Sequence, residues 1–301
     1  MIEPVRRAPP PATLAWAARS LAPGAQTTGW RRFTGGIVTS VHRLRIVRKG
    51  GEVHYLVLKR WVGEDRVEAR AEAEREAMAL THLEGTDLLT PRLIAFSGGH
   101  ETDGFPAVLM SRAPGRVWLD PTDPDDWLAQ LAGTLVRIHA LDRPGQPVEP
   151  WRPDRSEPAP QGASRPEVWR RAADLLDSAP PGLACFVHGD YQHFNVLWSH
   201  HRVSAVIDWV SCGIGHPDMD VGHCRLNLAA LFSPELAERF RAVYEAEAGR
   251  RVDAWWDVHQ LFCYTESWPR FLPVQVDRRV PVDTAGMTAR VETLLAMAIP
   301  H

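Results

Sequence analysis

The sequence predicts an α+β chain in two parts: a small strand-rich lobe over residues 1–112 and a larger, mainly helical lobe over 113–301. Two observations predict this. Before Ser111-Arg112-Ala113-Pro114-Gly115, short apolar-alternating runs surround one helical stretch rich in Ala and Glu. Beyond it, apolar residues recur at three- and four-residue spacing, the period of helices with one buried face. At 301 residues the chain is long enough to bury two cores.

A first helix is expected at Thr13–Leu21. Alternating strands at Ile37–Val47 and Val53–Arg60 flank a Lys49-Gly50-Gly51 turn and read as a hairpin. The lobe's main helix runs from Glu64 to Leu83, with strands following at Pro91–Phe96 and Pro106–Met110. In the second lobe, Asp126–Leu141 carries Trp127, Leu131, Leu135 and Ile138 at helical spacing. Residues 143–166 hold seven prolines and read as an irregular surface loop. A helix at Pro166–Leu176 then leads to strands at Leu183–Val187 and Val203–Ile207. The remainder is helical: Met219–Leu231, Pro234–Ala248, Ala254–Phe271 and Thr284–Met297. Ser233 and Gly249 have the residue types that start and stop the second of these.

Composition narrows the function. A hydrophobic content of 45% and a charged content of 24% are those of a soluble globular protein, and a net charge of −3 gives no reason to expect nucleic acid or an acidic membrane as partner. The four cysteines lack CxxC spacing, so neither a disulfide framework nor a zinc ribbon is indicated. No apolar run approaches a membrane span, and the N-terminal stretch has no secretory core; a reduced, cytoplasmic location is expected. Of 34 basic residues only Lys49 and Lys59 are lysines, so each invites the question of what arginine could not do there.

The stretch HGDYQHFNVLW, 188–198, carries the chemistry. It could be a polar turn between two buried strands. Phosphoryl transfer from a nucleotide, however, needs a carboxylate to orient the attacking hydroxyl and oxygen ligands for Mg²⁺. Asp190 and Asn195 lie five apart on one loop, and Asp208 ends the following strand in VIDW. A hairpin of FNVLW and VSAVID would bring Asn195 and Asp208 together as metal ligands, with Asp190 nearby to accept the hydroxyl proton.

HGDYQHFN resembles the HGDxxxxN catalytic loop of the aminoglycoside phosphotransferase-like kinases, small-molecule relatives of the protein kinases. IDW stands where protein kinases have DFG, and GIGHPDMDVG is similar to the family's G-x-P-x-x-D segment. The resemblance implies a bilobal protein-kinase-like fold, with an N-terminal antiparallel sheet lobe that binds ATP or GTP and a helical lobe that holds the acceptor. It implies Asp190 as the catalytic group, Asn195 and Asp208 as Mg²⁺ ligands, and Asp220 as a brace for the catalytic loop, with His188 an internal strut. It also implies a phosphate-contacting lysine at Lys59, in YLVLKRW, where an ammonium fits as a compact point charge and a guanidinium fork does not. Its partner glutamate should come from the next helix. Glu76 shares a face with Ala69, Ala73, Leu80 and Leu83, so it is favoured over Glu72, while Glu74 points nearly opposite. In TGGIVTSVHRL, Gly35, Gly36, Thr39 and Ser40 stand in the place of the phosphate-covering loop, and Met110 belongs to the LMSRAPG hinge, 109–115.

The acceptor is expected to be a hydroxylated small molecule, an antibiotic such as an aminoglycoside or macrolide, or a metabolite. No long activation segment separates Asp208 from GIGHPDMD, which favours a small acceptor over a protein. Asp257 and Glu266, among Trp256 and Trp268, are candidates for an acceptor pocket in the family's usual place. Two rival readings follow from the same residues. One is a nucleotide-binding protein without turnover; the other is a metal hydrolase built on the thirteen histidines, which show no HExxH spacing.

Overall fold

The computed structural model describes residues 8–33, 39–142, 144–148, 150, 156, 158–178, 180 and 182–300. The chain divides into two compact units, 1–115 with 204–211, and 116–203 with 212–301. The first unit thus ends a few residues beyond the expected boundary at 112, and it includes the segment that carries Asp208.

In the first unit, β1 (Gln26–Arg32), β2 (Thr39–Val47), β3 (Val53–Trp61), β4 (Leu93–Ser97) and β5 (Ala107–Ser111) form an antiparallel sheet of order β1-β2-β3-β5-β4. Strands β2 and β3 form the predicted hairpin, with Val41 opposite Lys59 and Ser40 opposite Arg60. Strand alternation then sorts the two faces. Leu44, Ile46, Leu56 and Leu58 point one way and bury Trp16 and Ala17 of α1 (Pro11–Leu21). Lys59 points the other way, toward α2 (Arg66–Leu83). Asp65 starts α2, its carboxylate accepting from the Val67 and Glu68 amides at 3.0 Å each. Lys49 is exposed in the turn that joins β2 to β3.

Strand β1 has no counterpart in the sequence reading. QTTGWRR lacks an apolar face and carries a register shift between Thr27 and Gly29, as an edge strand with no buried side can. Alternation is the wrong signal for such a strand.

The second unit is built around α5 (Pro217–Leu231), whose residues are buried almost all round. Packed with it are α6 (Pro234–Ala248), α7 (Ala254–Phe262) and α9 (Met287–Ala298), while α3 (Pro124–His139) packs on α6 and α4 (Pro166–Leu175) on α7 and α9. Helix α6 starts at Ser233, whose hydroxyl accepts from the Leu236 amide, and stops at Gly249, which adopts φ +65°. Strand β6 (Cys185–Val187) pairs with β9 (Gly213–Gly215), a Gly-Ile-Gly segment too short to show alternation. The expected hairpin is formed by β7 (Val196–Ser199) and β8 (Arg202–Val206), whose residues from Ser204 on count with the first unit. Its turn residues His200 and His201 both take positive φ, +50° and +59°, the backbone of a two-residue hairpin turn.

One helix is corrected. The stretch expected as Ala254–Phe271 breaks after Phe262 and restarts as α8 (Trp268–Val276). Pro269 explains the restart: it has no amide to donate backwards and its ring disfavours helix before it, so it sits in the first turn of α8.

Candidate active site

The site residues fall into two clusters. In the first unit, β3 delivers Lys59 to a buried position where its Nζ lies 2.6 Å from Glu76 Oε2 and 2.6 Å from Asp208 Oδ1. Glu76 is 2% exposed and points inward from α2, as its helical face requires, whereas Glu74 pairs with Arg70 at the surface. Burial opposes the charge on Lys59, but Asp208 and Glu76 outweigh it and hold the ammonium above the usual lysine range. Burial, helped by the nearby Asp208, pushes the Glu76 carboxyl up against the pull of the ammonium. Two carboxylates therefore share one cation. Asp208 is the more exposed of the two.

Asp208 adopts φ +67°, a left-handed backbone that costs a non-glycine residue about 1 kcal/mol. Next to it Trp209 is fully buried, its Nε1 donating to the Val206 carbonyl at 3.0 Å. Gly35 and Gly36 lie outside the described residues. Of the other two loop candidates, Thr39 pairs with Trp61 and shares the Lys59 face. Ser40 lies on the opposite face, fully buried, with Oγ 3.5 Å from His42 Nδ1. Met110 is buried at the end of β5, paired with Val57.

In the second unit the loop between β6 and β7 is held from behind. Asp220, buried on α5, accepts from the His188 amide at 2.7 Å, from the Gly189 amide at 2.8 Å and from His139 Nε2 at 3.2 Å. Presenting two successive amides to one carboxylate needs a turn, and Gly189 supplies it with φ +79°. His188 is fully buried, its Nδ1 accepting from the Asp190 amide at 3.3 Å. The Asp190 side chain faces outward from this frame. Its Oδ1 accepts from Gln192 Nε2 at 2.9 Å and lies 2.8 Å from His223 Nε2, while its Oδ2 accepts from Asn195 Nδ2 at 2.9 Å. Burial alone would raise the Asp190 carboxyl; the hydrogen bond and charge of His223, with His188 and Asn195, hold it below the usual range. Among the described residues both side-chain hydrogen bonds of Asn195 use its nitrogen, the second to the Asp190 carbonyl at 2.9 Å, and none engages its amide oxygen.

The four acceptor candidates lie in different environments. Trp256 is buried and stacks on His216 at 4.9 Å, and Trp268 is buried between Tyr264 and Phe271. Asp257 is buried in an ion pair with Arg225, which also pairs with Glu238. Only Glu266 is exposed, and it accepts from the Gln161 amide at 2.8 Å. Asp257→Ala is therefore expected to lower stability by about 3 kcal/mol, since it leaves Arg225 under-paired in the interior. Chemical denaturation measures that loss, and a stable variant altered only in acceptor binding would show instead that Asp257 faces a ligand.

Comparison with known proteins agrees with the geometry. The phosphotransferase enzyme family model matches residues 31–256. Viomycin phosphotransferase of Streptomyces vinaceus is 30% identical over 226 residues, covering 64% of this chain and 75% of that protein. A solved thermostable mutant of aminoglycoside phosphotransferase APH(4)-Ia, in ternary complex with ADP and hygromycin B, superposes with TM-score 0.58 at 15% identity, covering 95% of this chain and 98% of that one. The macrolide 2′-phosphotransferase MphH of Brachybacterium faecium does so with TM-score 0.55 at 19% identity, covering 96% and 98%. The chain belongs to the phosphotransferase enzyme family. Its fold is the α+β, protein-kinase-like fold of these solved structures.

Proposed function

We propose that the chain transfers the γ-phosphate of ATP to a hydroxyl of a small molecule, with Asp190 orienting that hydroxyl and receiving its proton. The observation that carries this reading is Lys59 bound between Glu76 and Asp208 at 2.6 Å each. A buried lysine fixed by a helix glutamate is a pre-placed point charge for the α- and β-phosphates, and its second carboxylate partner is the residue that would otherwise need a cation.

The residues fit Mg²⁺. Asn195 offers an amide oxygen and Asp208 a carboxylate, hard donors suited to an ion that keeps phosphate oxygens and water for its remaining positions. Bound there, the ion would neutralise charge on the phosphates. Asp190 then contributes the acceptor chemistry. The acceptor oxygen bonds to the γ-phosphorus as its proton passes to the carboxylate, and the bond from phosphorus to the bridging oxygen breaks, leaving its electron pair on ADP. The acceptor is a hydroxylated antibiotic, a reading supported by the likeness to viomycin phosphotransferase.

ATP with Mg²⁺ is expected to raise the melting temperature by several degrees more than either alone, because phosphates and protein share the ion. Equal stabilisation by zinc without nucleotide would remove the metal assignment. The function itself is tested by phosphate transfer from labelled ATP to viomycin, hygromycin B and a macrolide. Absence of both transfer and ATP turnover would leave a nucleotide-binding protein without catalysis.

A further inference from the structure

One group in contact with Asp190 has no part in the chemistry above. His223 lies on α5 three residues after Asp220, so both side chains leave the same face of that helix. Asp220 takes the loop's backbone amides, and His223 takes the loop's carboxylate, with Nε2 at 2.8 Å from Asp190 Oδ1. One turn further on, Asn227 Nδ2 donates to the His223 carbonyl oxygen at 3.0 Å.

The partners of Asp190 are unequally shared. Among the described residues, Oδ1 has two partners, His223 and Gln192, whereas Oδ2 has one, Asn195. The side chains of His223 and Asp190 are 22% and 30% exposed, so the carboxylate is reachable from outside while pinned from within. We propose that His223 is a positioning residue for phosphate transfer: it anchors Oδ1 of Asp190 and thereby leaves Oδ2 as the oxygen that meets the acceptor hydroxyl. This rests on reading Asp190 as the group that orients the acceptor. In the transfer step the hydroxyl proton goes to Oδ2, and His223 keeps its bond to Oδ1 throughout.

The electrostatics favour a strong contact. Burial lowers the tendency of His223 to hold a proton, but its hydrogen bond to Asp190 and the charges of Asp190 and Asp220 raise it above the usual histidine range. Those two carboxylates, one from the loop and one from its own helix, are the charged groups facing the ring, with His193 the other ionisable group in electrostatic reach. A protonated imidazole makes the shorter and stronger kind of bond to a carboxylate.

The test compares wild type, His223→Leu, which has no donor, and His223→Gln, which keeps a neutral one, using MgATP with viomycin and hygromycin B as probes. His223→Leu is expected to lower kcat about thirtyfold, the scale of losing one hydrogen bond to a charged group. KM for ATP should stay within about twofold and the melting temperature near wild type, and His223→Gln should recover part of kcat. Unchanged kcat in a well-folded His223→Leu variant would overturn the proposal. So would a joint fall in kcat, ATP affinity and melting temperature with no recovery in His223→Gln, which marks a merely structural residue. Imidazole titration by NMR supplies a readout independent of turnover: the His223 midpoint should fall in Asp190→Asn. Equal midpoints in the two proteins would show that the pair does not form in solution. Should wild type neither transfer phosphate nor turn over ATP, the functional reading fails, and the titration still decides the contact.

Discussion

Asp190→Asn is expected to reduce kcat for phosphate transfer by about a thousandfold while leaving nucleotide binding within about twofold of wild type. The amide has the size of the carboxylate but cannot take a proton from the acceptor hydroxyl. General-base contributions of this kind span roughly a hundredfold to ten-thousandfold, so the effect lies far outside assay scatter. Nucleotide binding should hardly change, because Asp190 belongs to the loop braced by Asp220 and not to the Lys59–Glu76–Asp208 cluster. Steady-state kinetics with ATP and acceptor varied separately make the distinction. A variant with wild-type kcat would remove Asp190 from the acceptor's chemistry.

The second large effect is structural. Asp220→Ala should cost about 3–5 kcal/mol of stability, because the buried amides of His188 and Gly189 and the ring of His139 all lose their acceptor. For a chain of this size that corresponds to a fall of roughly 10 °C in melting temperature. Asp220→Asn keeps the volume but sets an NH₂ group against one of the loop amides, so it should recover only part of the loss. The pH dependence has a definite sign. Burial would raise the Asp220 carboxyl, but the bond from His139 and the neighbouring histidines hold it below the usual range. A depressed carboxyl contributes stability that is fully present above the unfolded value near 4. That stability is lost as pH falls through the lower folded value. Wild type and Asp220→Asn should therefore converge in melting temperature on acidification below about pH 4. A constant gap down to pH 2 would show that Asp220 stabilises the loop without its charge.

Much of this was legible in the chain because phosphoryl transfer constrains residue type and spacing together. Asp190 and Asn195, which hydrogen-bond to each other, stand five apart in one short segment, and the Lys59–Glu76 pair follows from counting around a helix whose apolar face is visible in the sequence. What escaped depends on contacts between distant segments. Asp257 looked like a pocket acid because no residue one helical turn from it supplies a cation; its partner Arg225 sits on α5, 32 residues away. Ser40 looked like a phosphate ligand until the β2–β3 register put it on the face opposite Lys59. His223 was one histidine among thirteen, yet its spacing from Asp220 was available as a signal: whatever braces the loop from α5 has a second arm three residues on. The break before α8 was signalled by Pro269, which the helical spacing of its apolar neighbours masked.

The scarcity of lysine has a consequence for protein chemistry. Lys59 is shut away in its ion pairs and Lys49 stands exposed in the β2–β3 turn, so the folded chain presents a single side-chain amine to solvent. Among the side chains, reagents that acylate amines will mark that turn alone. Tethering through Lys49 would hold the molecules on a support in few orientations. Nucleotide analogues bearing an amine-reactive group on the phosphate chain would meet only one lysine in their pocket, so the position of the label would itself report whether the triphosphate reached Lys59.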